Sequence, residues 1–90
     1  MYKFSDINFV KYTDPEGIKG RINFKNGYTA SVVKTESSYG GSEGLYELAI
    51  LKDNHMCYTT PITNDVLGYL SEEEVTNILN QIDNLPNIES

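Results

Sequence analysis

The chain has few of the side chains on which catalytic and metal sites depend. Its 90 residues include one cysteine, one histidine and no tryptophan. A single cysteine allows no disulfide within these residues and fits a reducing compartment, so Cys57 is expected to be a structural thiol. One His and one Cys do not complete the usual four-ligand zinc shell. We therefore expect neither a metal nor a cofactor, and His55 is interpreted as a turn residue.

Long apolar runs are also missing. No stretch approaches the roughly 20 apolar residues of a transmembrane helix, and the N-terminus lacks the basic region and apolar core of a secretory signal. We expect a cytoplasmic protein without membrane contact. No repeat, low-complexity tract or proline-rich linker divides the sequence, so residues 1–90 are predicted to form one domain. At this length the chain buries only about 60–65% of its unfolded surface.

The net charge of −6 is distributed unevenly along the chain. Residues 1–35 hold six Lys and Arg against three Asp and Glu, whereas residues 36–90 hold one against ten. The overall negative charge opposes the phosphate contacts that dominate nucleic-acid affinity, so direct nucleic-acid binding is not expected. A local basic face in the first part is compatible with binding of a small anion.

The apolar pattern predicts a small antiparallel sheet. Apolar and polar side chains alternate with the two-residue period of half-buried strands, and turn residues separate the alternating segments. The predicted strands are 4–12, 18–24, a strand from 28 towards the loop at 37–44, 45–51 and 56–60. The turns are Asp14-Pro15-Glu16-Gly17, Asn26-Gly27 and 52–55, and 62–69 is interpreted as irregular surface.

The loop at Gly27 sets the register of the best-defined hairpin. A two-residue loop would place Phe24 opposite Thr29, apolar against polar, whereas a three-residue loop, 25–27, pairs Phe24 with Tyr28. The second register is predicted, and it requires a positive φ at Gly27. It leaves a polar face carrying Lys19, Arg21 and Lys34.

The helix is predicted from its N-terminal signal. Ser71-Glu72-Glu73-Glu74 is a capping box, and Leu70 and Val75 occupy the staple positions on either side of the cap. Pro86 is expected to end the helix. The apolar stripe is Val75, Ile78, Leu79 and Ile82, and the residues predicted to face water are Asn77, Asn80, Gln81 and Asp83.

These elements predict an α+β fold, in which an antiparallel meander of four to five strands carries one C-terminal helix on one face. The opposite face of the sheet would then lack cover. The apolar set Leu45, Ala49 and Leu51 lies opposite the set Tyr46, Leu48 and Ile50 on the central strand, so one of the two sets is expected to lack cover within the chain. We therefore expect a homo-oligomer that buries the uncovered set.

The segment at 37–44 is the main candidate for ligand binding. Three glycines in five residues leave main-chain N–H groups approachable by an anion, while serine hydroxyls and a tyrosine ring suit a phosphate and a base. The same composition is also typical of a structural hairpin connection. The candidate ligand-binding residues are Ser37, Ser38, Tyr39, Gly40, Gly41, Ser42 and Gly44, together with Lys19, Arg21 and Lys34.

Residues 40–44 also match G-x-S-x-G, the nucleophile-elbow pattern. That pattern indicates catalysis only on a strand-to-helix turn with a histidine and an acid nearby. A strand is predicted after it, and the only histidine lies in another turn. We assign no catalytic residue and expect the protein not to be an enzyme.

Acidic and aromatic side chains supply an alternative surface. The glutamates at 72–74 favour the positive end of the helix dipole, and an acidic patch that binds a protein is compatible with that role. The candidate partner-binding residues are Asp65, Glu72, Glu73, Glu74 and Asp83. The tyrosines expected to be exposed contact residues are Tyr2, Tyr39, Tyr58 and Tyr69, and those expected to line the core are Tyr28 and Tyr46.

Five blocks carry a likeness to known sequences. They are Tyr12-Thr13-Asp14-Pro15-Glu16-Gly17, Ser31-Val32-Val33, Ser38-Tyr39-Gly40-Gly41, Gly44-Leu45-Tyr46-Glu47 and Gly68-Tyr69-Leu70. Over nearly its whole length the chain resembles small acidic hypothetical proteins of bacteriophages and prophages. That group has no established activity, so the resemblance assigns no functional residues to this chain.

The resemblance implies a context, namely a non-enzymatic accessory protein in the host cytoplasm that counters host defence. The first hypothesis is that it binds and sequesters a small nucleotide-like anion. The alternative is that it inhibits a host defence enzyme by binding it through an acidic, DNA-mimic-like surface. Both rest on analogy, since fold alone does not determine function.

Overall fold

The computed structural model describes residues 1–63 and 65–88 of the chain. It confirms the α+β prediction, with an antiparallel meander and a C-terminal helix packed against it. The strands are β1 (Val10–Thr13), β2 (Glu16–Asn23), β3 (Tyr28–Thr35), β4 (Tyr46–Lys52), β5 (His55–Met56) and β6 (Leu67–Leu70). The helix α1 spans Glu72–Asp83, and short 3₁₀ turns lie at Phe4–Asp6 and Gly41–Glu43.

The fifth position of the meander is shared by two short strands. β1 to β5 follow one another across the sheet, and β6 also pairs with β4. Leu51 pairs with Met56 of β5, whereas Tyr46 and Leu48 pair with Leu70 and Leu67 of β6. The two strands therefore pair with opposite ends of β4.

Two strand predictions are wrong in their extent. Residues 67–69, interpreted as irregular, belong to β6, and the strand predicted at 56–60 is only His55–Met56. Gly68, interpreted as a turn signal, lies at a register shift between β4 and β6, where the neighbouring Tyr69 has φ 57°. Such a bulge interrupts the alternation that identifies a strand.

The β2–β3 hairpin has the predicted register. Gly20 pairs with Val32 and Ile22 with Ala30, and Gly27 has φ 97°. The same register pairs Lys34 with Ile18 and places it on the opposite face from Lys19 and Arg21, because neighbouring residues of a strand point to opposite faces. The predicted polar face therefore holds two of its three cations.

The N-terminal region differs from the prediction. Residues 4–6 form a 3₁₀ turn, so the first strand begins only at Val10. The first hairpin turn consists of Asp14 and Pro15 alone, and Glu16 and Gly17 already pair with β1. The turn is therefore present, but it lies one residue earlier than predicted.

The core lies between α1 and one face of the sheet. The four predicted stripe residues of the helix are buried together with side chains of β2, β3 and β4. The capping box is confirmed, since Ser71 Oγ accepts from the N–H of Glu74 at 3.1 Å and Glu74 Oε1 accepts from the N–H of Ser71 at 2.9 Å. The sheet residues without exposed surface are Ala30, Val32, Leu48 and Ile50.

The prediction that Asn80 faces water is wrong. Asn80 is half-buried, with Oδ1 accepting from the N–H of Tyr2 and Nδ2 donating to the carbonyl of Tyr2, each at 2.9 Å. Tyr2 is half-buried as well and packs edge-on against Phe24, with ring centroids 4.8 Å apart. The N-terminal segment therefore packs on α1. It covers part of the helix face that the sequence pattern predicts to be exposed to water.

The hairpin loop and the helix end are joined by one side chain. Asn26, at 7% exposure, donates from Nδ2 to the carbonyl oxygens of Ile82 and Leu85 at 2.7 and 3.0 Å. Its Oδ1 accepts from the N–H of Tyr28 at 3.2 Å, and its carbonyl accepts from the N–H of Ile88 at 2.8 Å. The last carbonyls of a helix have no intrahelical donor, so Asn26 supplies donors to the C-terminal end of α1.

We expect Asn26→Asp to lower the free energy of unfolding by about 3 kcal/mol or more, because a buried carboxylate would face two carbonyl oxygens at the negative end of the helix dipole. Urea unfolding followed by circular dichroism measures the change. Asn23→Asp is the matched control, since exposed Asn23 only accepts from Thr29 Oγ1 and the carboxylate preserves that bond. The control should stay within about 0.5 kcal/mol of the parent. Equal losses in both variants would contradict the role of Asn26.

Candidate functional site

The segment at 37–44 is a compact loop held by its own hydrogen bonds. Ser38 Oγ accepts from the N–H of Thr35 at 2.9 Å and donates to the carbonyl of Thr35 at 3.0 Å. Gly40 and Gly44, with φ 89° and 78°, flank the 3₁₀ turn at Gly41–Glu43. Both positions therefore have a left-handed backbone, which favours glycine.

Two of the loop glycines allow close contact within the protein. A Cβ at Gly41 would collide with the backbone oxygen of Thr35, and one at Gly40 would lie 2.9 Å from the Cα of Tyr69. Gly68 of β6 has the same role, because its Cβ would lie 2.6 Å from the Cβ of Tyr39. Only Gly44 has open space around its Cα. The glycines thus pack the loop against β3 and β6.

The main-chain donors of the loop are largely used within the protein. The N–H of Tyr39 donates to Glu47 Oε1 at 3.0 Å. The other loop N–H groups with a carbonyl acceptor belong to Ser38, Gly41, Glu43, Gly44 and Leu45. An anion bound here would have to displace these bonds and lie near the carboxylate of Glu47. The remaining candidates, Ser37 and Ser42, are exposed.

The three candidate cations do not converge on the loop as one group. Lys19 Nζ lies 4.6 Å from the ring centroid of Tyr12, on the face away from α1. Lys34 Nζ lies 5.1 Å from the ring centroid of Tyr46, on the α1 face. Cations above aromatic rings gain a modest electrostatic attraction. Arg21 is exposed and shares the face of Lys19.

The acidic candidates are distributed along α1. Glu74 is engaged in the capping box, whereas Glu72 and Glu73 line an open groove of about 400 Å³ beside Lys3 and Phe4. Half-buried Asp83 lies at the other end of α1, roughly 16 Å away along the helix axis. Asp65 is exposed in the segment before β6. These carboxylates do not form one compact patch.

The outer face, which we define as the sheet face away from α1, is not covered by the helix. Strand alternation assigns it Val10, Tyr12, Lys19, Arg21, Ser31, Val33, Glu47 and Ala49. Exposed Tyr39 and Tyr69 lie at its β6 margin, where the N–H of Tyr69 donates to the carbonyl of Tyr39 at 3.2 Å. The exposed fractions are 61% for Val10, 44% for Tyr12, 60% for Tyr39 and 56% for Tyr69.

Part of this face was predictable from the sequence. Tyr39, Tyr58 and Tyr69 are exposed as expected, and Tyr46 is buried in the core. Tyr12 was missed, because its exposure follows from a pairing with Gly17 that only the register reveals. Of the two apolar sets of the central strand, Tyr46, Leu48 and Ile50 lie in the core. The other set is partly covered within one chain, since Leu51 is 7% exposed and Leu45 and Ala49 are half-buried.

Two classes of site find no support in residues 1–63 and 65–88. No group of three or more His, Cys, Asp or Glu side chains there is arranged to hold a metal ion. None of the helices described has the length and apolar character that crossing a membrane requires. The Sγ of buried Cys57 lies 3.6 Å from the Oγ1 of Thr59.

We expect Gly41→Ala to destabilise the fold by about 3 kcal/mol, because the added Cβ meets backbone that no rotamer change can move. Gly44→Asn should cost less than about 1 kcal/mol, since Gly44 has open space and asparagine tolerates a left-handed backbone. Thermal unfolding of both variants measures the difference. A Gly41→Ala protein as stable as the parent would show that the loop is free to adapt and would restore its interpretation as an open cradle.

No protein-family model, curated protein or solved structure matches the chain.

Proposed function

We propose that the chain is a non-enzymatic binding protein that occupies the surface of another protein through the outer face. The observation that supports this proposal is the set of exposed aromatic and aliphatic side chains on a face that α1 leaves uncovered. Tyrosine and arginine are enriched in protein interfaces. Tyr12, Tyr39 and Tyr69 offer large contact areas at low entropic cost, with Arg21 nearby.

The charges of this face suggest the chemistry of its partner. Lys19 and Arg21 lie on β2, and Glu47 lies on β4, where it already accepts from the N–H of Tyr39. The uncommitted charge is therefore positive and close to Tyr12. A partner with an apolar patch bordered by carboxylates would complement this arrangement.

The loop contacts favour this proposal over nucleotide sequestration. A nucleotide-like anion requires free donors, yet six N–H groups between residues 38 and 45 already have acceptors within the protein. Lys34 also lies on the opposite sheet face from Lys19 and Arg21. The sequestration hypothesis thus lacks the converging donors that motivated it.

The acidic surface is the less favoured protein-binding alternative. A DNA mimic needs an extended, regular array of carboxylates, whereas Glu74 caps α1 and Asp83 is half-buried at the far end. In the phage context that the sequence resemblance implies, the partner would be a host defence protein in the host cytoplasm. The homo-oligomer expected from the sequence is a separate proposal.

We expect Tyr12→Ser combined with Tyr69→Ser to abolish capture of a specific host protein, because both rings are exposed and contribute contact area rather than stability. Parent and variant would be used as baits in host lysate, and the captured protein would then be titrated by calorimetry. Glu72→Gln combined with Glu73→Gln is the matched control and should bind like the parent. Loss of binding in the control alone, with a steep dependence on salt, would favour the acidic surface instead.

We also expect calorimetry with cyclic and linear nucleotides to give no binding heat, because the loop donors already have acceptors. Ser42→Ala serves as the comparison, since its exposed hydroxyl is a candidate contact that stability does not require. Saturable heat with the parent that Ser42→Ala removes would contradict the proposal and restore sequestration.

A further inference from the structure

The β1 edge of the sheet is open. Within residues 1–63 and 65–88, β1 pairs only with β2, and all four of its residues are exposed. We propose that β1 pairs antiparallel with β1 of a second copy of this chain, so that the two sheets become continuous across a twofold axis. This contact is made by the backbone of the edge, with Tyr12 the outer-face side chain nearest to it, and it can form whether or not the outer face binds another protein.

The backbone groups that would make this contact follow from the neighbouring hydrogen bonds. The N–H of Glu36 donates to the carbonyl of Glu16 at 3.0 Å, so the peptide groups of Glu16 point towards β3. Since these directions alternate along a strand, those of Gly17 point towards β1, where its partner is Tyr12. The N–H and C=O groups of Lys11 and Thr13 therefore point to the open edge.

Symmetry and chemistry select one register. A twofold axis normal to the sheet preserves its faces, so residues paired across it must share a face. Pairing Lys11 with itself opposes like charges, and pairing Thr13 with itself places Lys11 opposite Pro15, which has no N–H. Pairing Lys11 with Thr13 of the second copy avoids both problems. It forms four backbone hydrogen bonds and sets the two Tyr12 side chains opposite each other at a close, non-hydrogen-bonded position.

Charge complementarity supports this register. A groove of about 470 Å³ lies on β1 and β2 and is lined by Lys11, Tyr12, Thr13, Glu16, Gly17 and Ile18. Thr13 pairs with Glu16 in the same chain. In the proposed register, Lys11 of the second copy lies over Thr13, two strand spacings or about 9.6 Å from Glu16 between Cα atoms. Long lysine and glutamate side chains span that distance, and the twofold axis repeats the ion pair.

This partner explains a lysine on an otherwise uncharged edge strand. Lysine on an edge normally opposes strand addition, because pairing brings its charge against another sheet. Here Glu16 is exposed beside the groove, so a second copy brings a further carboxylate within reach of each Lys11, whereas an unrelated strand without a matching carboxylate does not. The edge is therefore selective for its own copy.

The test exchanges the two charges between separate chains. Sedimentation velocity should show the parent associating to a dimer as concentration rises, and Lys11→Glu or Glu16→Lys alone should weaken dimerisation by about tenfold or more. An equimolar mixture of the two variants should restore the dimer, because the glutamate introduced at position 11 of one chain then meets the lysine introduced at position 16 of the other. Within each variant chain the two charges remain alike, so an effect inside one chain cannot produce the recovery.

Hydrogen exchange locates the contact. Amide exchange at Lys11 and Thr13 should slow as the parent dimerises, while exchange at Tyr12, whose N–H points to β2, should not change. Circular dichroism of both variants confirms that the fold is retained. A parent that stays monomeric up to about 1 mM, variants that dimerise like the parent, or a mixture that remains monomeric would each overturn the proposal. A dimer without protection at Lys11 and Thr13 would do the same, whatever the outcome of partner capture.

Discussion

The contact between Asn26 and the end of α1 determines how the helix lies on the sheet. A helix presents an apolar stripe to a sheet, yet the stripe alone permits sliding and rotation. Asn26 donates to the carbonyls of Ile82 and Leu85 from a loop fixed by the β2–β3 register. The carbonyl of Ile82 also accepts from the N–H of Leu85 at 3.0 Å, so sliding of the helix would cost free energy mainly by removing the Asn26 donor from the carbonyl of Leu85. These bonds therefore favour one position of the helix. That position decides which sheet face is covered and which remains open.

Local signals made much of this fold predictable. The capping box at Ser71, the alternation in β2 and the three-residue loop at Gly27 each involve residues close in sequence, and all three are confirmed. The bond from Asn26 to Ile82 joins residues 56 positions apart, and no local pattern distinguishes a loop asparagine that caps a distant helix from one that only turns the chain. β6 was missed because its bulge disrupts the alternation on which strand prediction depends.

The candidate sites were harder to predict because the same residue types serve opposite purposes. Glycine exposes backbone to a ligand, and it also lets one backbone segment approach another. The sequence of the loop at 37–44 does not separate these uses, whereas the contacts of Gly40 and Gly41 with Tyr69 and Thr35 do. Exposed Tyr12 is a second case, because its position on the outer face follows from pairing with Gly17 rather than from any neighbouring residue.

The two edges of the sheet differ in how much of their backbone is covered: the glycine loop lies against β6, whereas β1 is open. At the β6 edge, the glycine loop lies against β6, and the carbonyl of Tyr39 accepts from the N–H of Tyr69. Nothing described in residues 1–63 and 65–88 does the same for β1. Exposed strand edges promote unspecific association unless they are covered or charged. The fold covers backbone at β6 and leaves at β1 an edge whose Lys11 and Glu16 restrict which strand can join it.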